Sequence, residues 1–209
     1  MKSVYIVGED DATRAVIERL IATYNENLQI ITSLPARGSQ IKKMISSFNS
    51  LALHNPVIML TDLDDEPCAP IAKKKLMYGL KESRDFIINI ACDEVEAWLM
   101  ADTKGFANYF SIPVQDMPSF VPQKMQGRKA LSEIYLKVKS SWYLTHKLAH
   151  LSTNSVIKDQ ISVPVSDLAC KGKEYNSAIV PFVRKVWNPE KARQLSDSLN
   201  RMIVRISNL

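Results

Sequence analysis

Apolar and polar positions alternate in blocks through the first hundred residues. Val4-Tyr5-Ile6-Val7 is a short run ended by Gly8, which predicts a strand. Val16, Ile17, Leu20, Ile21 and Tyr24 follow at helical spacing, with Asp10 or Asp11 as N-cap. Leu28 to Thr32 predicts a second strand. Pro35 and Gly38 mark a loop, Ser39 can cap the next helix, and Ile41, Met44, Ile45, Phe48 and Leu51 form its apolar stripe. Val57 to Leu60 is uninterrupted and apolar, which predicts a central strand of a parallel sheet. A basic helix over Ile71 to Leu80, a strand over Phe86 to Ala91 and a helix from Asp93 to Met100 complete a βαβαβαβα order. That order predicts an α/β fold with an open parallel sheet flanked by helices.

Pro113, Pro118 and Pro122 then interrupt the pattern and read as a connector. Beyond them the chain reads as mainly helical. Leu131, Ile134, Tyr135 and Val138 fit one helix face. Asn188-Pro189 is a helix start, and Leu195, Leu199, Met202, Ile203 and Ile206 continue from it as an amphipathic helix. The predicted division is an α/β domain over 1–111 and a basic, mainly helical region over 112–209.

Composition narrows the class. Of 209 residues 46% are hydrophobic and 23% charged, which excludes disordered and fibrous chains. No apolar run approaches the ~18 residues of a membrane span, and MKSVYIVGEDD turns acidic without a secretory apolar core; a cytoplasmic chain is expected. Cys68, Cys92 and Cys170 are widely spaced without C-x-x-C, so reduced thiols are expected rather than a disulfide framework or zinc site. Charge is uneven. Through Asp102 there are 15 acidic and 11 basic residues, net −4; from Thr103 there are 7 and 16, net +9. An acidic half joined to a basic half suits a protein that holds cations beside a polyanion such as DNA or RNA; a merely uneven solvated surface is the alternative.

Acidic residues cluster after three predicted strands: Glu9-Asp10-Asp11, then Asp62, Asp64 and Asp65, then Asp93, Glu94 and Glu96. Parallel strands bring such ends to one edge, where open α/β sheets bind ligands. Carboxylates gathered there repel one another unless cations lie between them, and hard oxygen donors suit Mg²⁺ or Mn²⁺. On an extended strand end Asp62 and Asp64 face the same way while Leu63 points to the core. If the helix has begun by Glu94, Glu94 and Glu96 diverge, so one of them reaches a metal. Structural roles compete: Asp10 or Asp11 as a cap, Asp65 and Glu66 as loop solvation, and Asp93-x-x-Glu96 as a capping box.

The glutamate after strand one, the D-x-D after strand three and the acids after strand four resemble the Toprim domain of topoisomerases, primases, a ribosomal RNA maturase and the overcoming-lysogenization-defect nucleases. The residues are I-V-G-E-D-D (Ile6 to Asp11) and L-T-D-L-D-D (Leu60 to Asp65). E-V-E-A-W-L-M-A-D (Glu94 to Asp102), K-G-K-E-Y-N (Lys171 to Asn176) and W-N-P-E-K-A (Trp187 to Ala192) are similar to segments of small stand-alone bacterial Toprim-like proteins. In the commonest Toprim start glutamate precedes glycine; here Gly8 precedes Glu9. The resemblance implies metal-dependent phosphodiester hydrolysis on nucleic acid, with Glu9 as general acid/base or metal ligand. Asp62 and Asp64 would hold Mg²⁺, and Glu96, with Glu94, would support a second ion or orient water. It also implies an ATPase partner in a bacterial defence system.

Arg37, Lys73, Arg128, Lys129, Lys171 and Lys173 are candidate phosphate contacts; Lys74, Lys75, Arg184 and Lys185 extend the set. Gly172 suits a turn, or a backbone approach to phosphate. His146 and His150, four apart, lack a third ligand at suitable spacing. Trp98, Trp142 and Trp187 read as core anchors. Neither a P-loop nor G-x-G-x-x-G occurs, which disfavours autonomous ATP hydrolysis and dinucleotide binding. Two other readings remain open: a non-catalytic module that binds a partner ATPase, and a receiver-like signalling domain, for which the strand-four Ser/Thr and the strand-five lysine are not evident. The amphipathic C-terminal helix can pack within the chain or across a homodimer.

Overall fold

The computed structural model describes residues 1–38, 40–123, 131–134, 136, 138–164, 167, 169, 171, 172 and 174–209, with 121–123, 131, 132 and 134 described by their backbone. Two compact units emerge, residues 1–92 with 201–209, and residues 93–200. The division falls at Cys92/Asp93 rather than at 111/112, and the last nine residues belong to the first unit.

The first unit runs β1 (Lys2–Gly8), α1 (Asp11–Tyr24), β2 (Leu28–Ser33), α2 (Gln40–Lys43), α3 (Ile45–Leu51), β3 (Val57–Asp62), α4 (Ala69–Met77) and β4 (Phe86–Ala91). All four strands are parallel, in the order β2-β1-β3-β4. β3 is central, as its unbroken apolar run predicts, and all its residues but Asp62 are buried. One sheet face carries Val7, Val57, Met59, Phe86, Ile88 and Ile90 against Ile45 and Phe48 of α3 and Ala72 and Met77 of α4. The opposite face carries Val4, Ile6, Ile58 and Leu60, all fully buried; α1 packs on β1 and β3, burying Val16, Ile17 and Leu20. The stripe expected over Ile41 to Leu51 is two short helices, broken at Met44. Ser39, the expected cap, lies outside the described residues.

The second unit runs α5 (Val95–Ala101), α6 (Thr103–Phe110), β5 (Phe120–Gln123), β6 (Leu131–Ile134), α7 (Ser140–Tyr143), α8 (Ser155–Ile161), α9 (Tyr175–Lys185) and α10 (Pro189–Ala192). α11 (Asp197–Ser207) starts within it and ends within the first unit. This part is mostly helical, with one correction. Leu131 to Ile134 is a strand antiparallel to β5, not a helix. The apolar spacing is helical, and a partner strand inside the proline-spaced segment overrides it; Tyr135 lies outside the described residues. The helix expected to run on from Asn188 is also divided. Asn188 caps α10 through Lys191 N–H at 3.1 Å, and α11 restarts at Asp197, where Ser196 Oγ accepts from Leu199 N–H. The apolar face of α11 (Leu199, Met202, Ile203, Ile206) is buried within this single chain.

Among the described residues no helix is long and apolar enough to cross a membrane. Among the described residues Cys68 and Cys92 form no disulfide; Cys170 lies outside the described residues. Trp98 and Trp187 are fully buried, whereas Trp142 is half-buried and stacks on His146, ring centroids 4.5 Å apart.

Candidate metal and phosphate site

Gly8 ends β1 and sets Glu9 at the carboxyl edge of the sheet. A Cβ on Gly8 would lie 3.0 Å from Arg14 N and 3.1 Å from Thr13 Cγ2, so glycine lets the first turn of α1 close onto the strand end. That accounts for the Gly-Glu order. Asp10 is the N-cap of α1, accepting from Thr13 N–H and Oγ1–H at 2.8 Å each. Asp11 pairs with Arg37 at 3.2 Å and Arg14 at 3.7 Å. Only Glu9 of this cluster turns to the neighbouring strand. Its Oε1 accepts from the Thr61 hydroxyl and from Asp62 N–H, the latter at 3.3 Å. Burial pushes the Glu9 carboxyl above its ordinary value; the Thr61 and Asp62 bonds oppose the shift, Asp64 adds to it and Lys42 opposes it.

Asp62 is the last residue of β3, paired with Ala91. Leu63 N–H reaches Ala91 O at 3.0 Å and its side chain packs on the core. A tight turn follows, closed by Glu66 N–H to Leu63 O at 3.2 Å, with Asp64 at φ 51°. Aspartate tolerates that left-handed conformation better than most residues, and a strained residue held at a cleft is a pointer to function. Asp62 and Asp64 line one cleft of about 250 Å³ together with Thr61, Glu66, Lys42 and Lys75. Lys42 Nζ stands 3.5 Å from Asp64, and Lys75 Nζ 2.7 Å from Glu66. Sequence reasoning missed Thr61 and Lys42. Thr61 sits beside the D-x-D, where its hydroxyl was a usable signal; Lys42 lies 22 residues away in another element, so no local spacing marks it.

The remaining acids lie in the second unit. Asp93, at φ 63°, accepts from Ser140 N–H at 3.0 Å and from the Ser140 hydroxyl. Glu94 accepts from Ser141 N–H at 2.7 Å. Burial raises both carboxyls, and the charge of Glu96 adds to each shift. Glu94 is the N-cap of α5 without a side-chain cap bond, so the expected capping box does not form. Glu96 is 2% exposed and its Oε1 accepts from Lys171 Nζ and Tyr175 OH, both at 2.8 Å. Asp102 caps α6 through Gly105 N–H at 3.3 Å and accepts from Asn188 N–H at 3.0 Å. The three signature segments of this unit therefore meet as a buried polar framework.

Of the candidate phosphate contacts, Arg37 has a 66% exposed side chain beside Asp11. Lys73 pairs with Glu82 at 2.6 Å, and Lys171 is taken by Glu96. Arg128, Lys129 and Lys173 lie outside the described residues. His146 and His150 turn Nε2 to the carbonyls of Asp167 and Val163 at 3.0 Å.

Among the described residues no three His, Cys, Asp or Glu side chains are gathered as a metal cage. A caged site such as zinc's needs that; Mg²⁺ does not, because it keeps several waters and binds through one or two carboxylates plus substrate phosphates. The Asp62/Asp64 pair on one cleft wall fits that donor requirement. Fold and site together define an α/β parallel-sheet protein with a cleft at the carboxyl end of β3 lined by Asp62, Asp64 and Glu66, and with Glu9 bonded to Thr61 and Asp62 at the end of β1. Compared with family models, curated proteins and solved structures, the chain matches none.

Proposed function

We propose that the chain is a metal-dependent phosphodiesterase acting on nucleic acid, a nuclease or nuclease subunit of the Toprim type, with its reacting centre in the cleft of Asp62 and Asp64. The observation that supports this most is Glu9. A partly buried carboxyl held by Thr61 and Asp62 N–H beside the D-x-D, its pKa raised by burial, is a candidate proton carrier for such chemistry. In this reading Asp62 and Asp64 hold Mg²⁺ or Mn²⁺, which when bound neutralises phosphate charge and lowers the pKa of water. Glu9 takes or returns the proton. Lys42 and Lys75, on long flexible stems, are placed to meet phosphate oxygens. Glu96 and Glu94 bind partners within the second unit, Lys171 with Tyr175 and Ser141.

The test is cleavage of single-stranded DNA, duplex DNA and RNA with Mg²⁺, Mn²⁺ or chelator, alone and with a candidate ATPase partner. Cleavage lost in Asp62→Ala/Asp64→Ala and in Glu9→Gln supports the reading; cleavage unaltered in the double variant removes it. The Lys42–Asp64 pair favours a second reading, in which internal neutralisation of the acids leaves a non-catalytic module that docks on a partner. Absence of metal-dependent cleavage under every condition would favour that one.

A further inference from the structure

A second cleft, of about 330 Å³, opens in the first unit over Phe86 to Ile88, the amino-terminal half of β4. Lys73 comes to it from α4, Glu82 and Arg84 from the loop before β4, and Val204, Arg205 and Asn208 from α11 and the residue after it. The acidic cleft lies at the other end of the strands, where Asp62 pairs with Ala91.

β4 is one of the two edge strands of the parallel sheet. Its register sends the Ile88 carbonyl outward, and Arg205 NH1 donates to it at 2.8 Å and to Asn89 Oδ1 at 3.1 Å. One end of the guanidinium is thereby fixed and the other donors remain for a ligand. Lys73 and Glu82 neutralise each other at 2.6 Å. Among the described residues no carboxylate lies within ion-pair distance of Arg84 or Arg205. The cleft thus holds two arginines without a paired anion. Arg205 feels that: partial covering by its surroundings and the charge of Arg201 lower its pKa, and the charge of Glu82 only partly offsets them. An anion that bridges Arg84 and Arg205 would relieve the excess. A tetrahedral phosphate matches the guanidinium fork with two parallel N–H···O bonds, and exposed Val204 beside it offers an apolar rest for the body of an ester.

We propose that this edge cleft is a phosphate-binding site, read by Arg84 and Arg205 and independent of any metal chemistry in the acidic cleft. The full chain is titrated calorimetrically with inorganic phosphate, adenosine monophosphate and acetate at low ionic strength, with chelator present. Saturable binding of phosphate or the nucleotide is expected, weakened about tenfold by Arg84→Gln and by Arg205→Gln and less by Arg205→Lys. Tighter binding of the nucleotide than of phosphate, with the same arginine dependence, identifies an ester as ligand; equal binding identifies free phosphate. Arg84 is exposed and among the described residues holds no other group, so its variant keeps the fold and decides the matter. No saturable binding at millimolar phosphate, equal binding of acetate, or affinity unchanged in Arg84→Gln would overturn the assignment. Because chelator is present, none of these results bears on the proposed hydrolase activity.

Discussion

Gly8→Ala is the sharpest test of how the first strand delivers Glu9. The backbone at Gly8 is outside the left-handed region, so alanine costs no dihedral strain, and the effect isolates one contact. The new methyl would stand 3.0 Å from Arg14 N and Cγ and 3.1 Å from Thr13 Cγ2. The Arg14 side chain can turn away; the Arg14 backbone nitrogen cannot, so the first turn of α1 must shift by a few tenths of an ångström. Overpacking of this kind costs about 1–3 kcal/mol. Replacing glycine restricts the unfolded chain and returns about 0.4–1 kcal/mol. A net loss of about 1–2 kcal/mol follows. For a chain of this size that is a fall in Tm of about 2–8 °C. Urea unfolding followed by circular dichroism measures the loss, and amide exchange at Thr13 and Arg14 locates it, because the Asp10 cap is the first bond to loosen. Thr13→Ser, which removes Cγ2 and keeps the hydroxyl on Asp10, should recover part of the loss. A Gly8→Ala chain as stable as the wild type, with unchanged protection at Thr13, would refute the close approach and with it the account of the Gly-Glu order.

Further expectations concern charge and burial. Glu9 has a folded pKa raised above its unfolded value, so the folded state binds the proton more tightly and stability declines as pH rises from the ordinary carboxylate value through the raised one. Glu9→Gln should therefore equal the wild type in acid and exceed it in stability at neutral pH while losing any activity; a variant less stable at pH 7 than the wild type contradicts this. Glu96→Gln should lose about 1–3 kcal/mol, since a buried acceptor for Lys171 and Tyr175 is weakened, and the loss should appear without substrate or metal. Trp98→Ala should cost about 3–5 kcal/mol, because the fully buried indole also donates to Ser198 Oγ at 2.8 Å. Lys42→Ala should change stability by less than about 1 kcal/mol, since its pair with Asp64 is exposed.

The four parallel strands were legible because each is a short continuous run bounded by Gly, Pro or acidic residues, a signal that needs no knowledge of distant partners. Leu131 to Ile134 was not, since Leu131, Ile134, Tyr135 and Val138 are spaced as a helix and only pairing with Phe120 to Gln123 makes the segment a strand. The same divide runs through the site. Asp62 and Asp64 line one cleft, but not by the strand alternation the sequence suggests: β3 ends at Asp62, and a turn with Asp64 at φ 51° sets the second carboxylate. Glu96 carried the same residue type after a strand, yet its partners Lys171 and Tyr175 lie 75 and 79 positions further on, and no spacing rule reaches that far. Lys42 escaped notice for the same reason.

The discontinuity of the first unit constrains its biogenesis. Residues 1–92 emerge from the ribosome more than a hundred residues ahead of Arg205, which donates to the outward Ile88 carbonyl of β4, and of Ile206, whose carbonyl receives Asn25 Nδ2–H at 2.9 Å. Until then the β4 edge lacks that contact, and an open sheet edge invites strand exchange between neighbouring polypeptides on a polysome. A stop codon after Asn200 would make that vulnerability permanent, and such a product should accumulate in inclusion bodies.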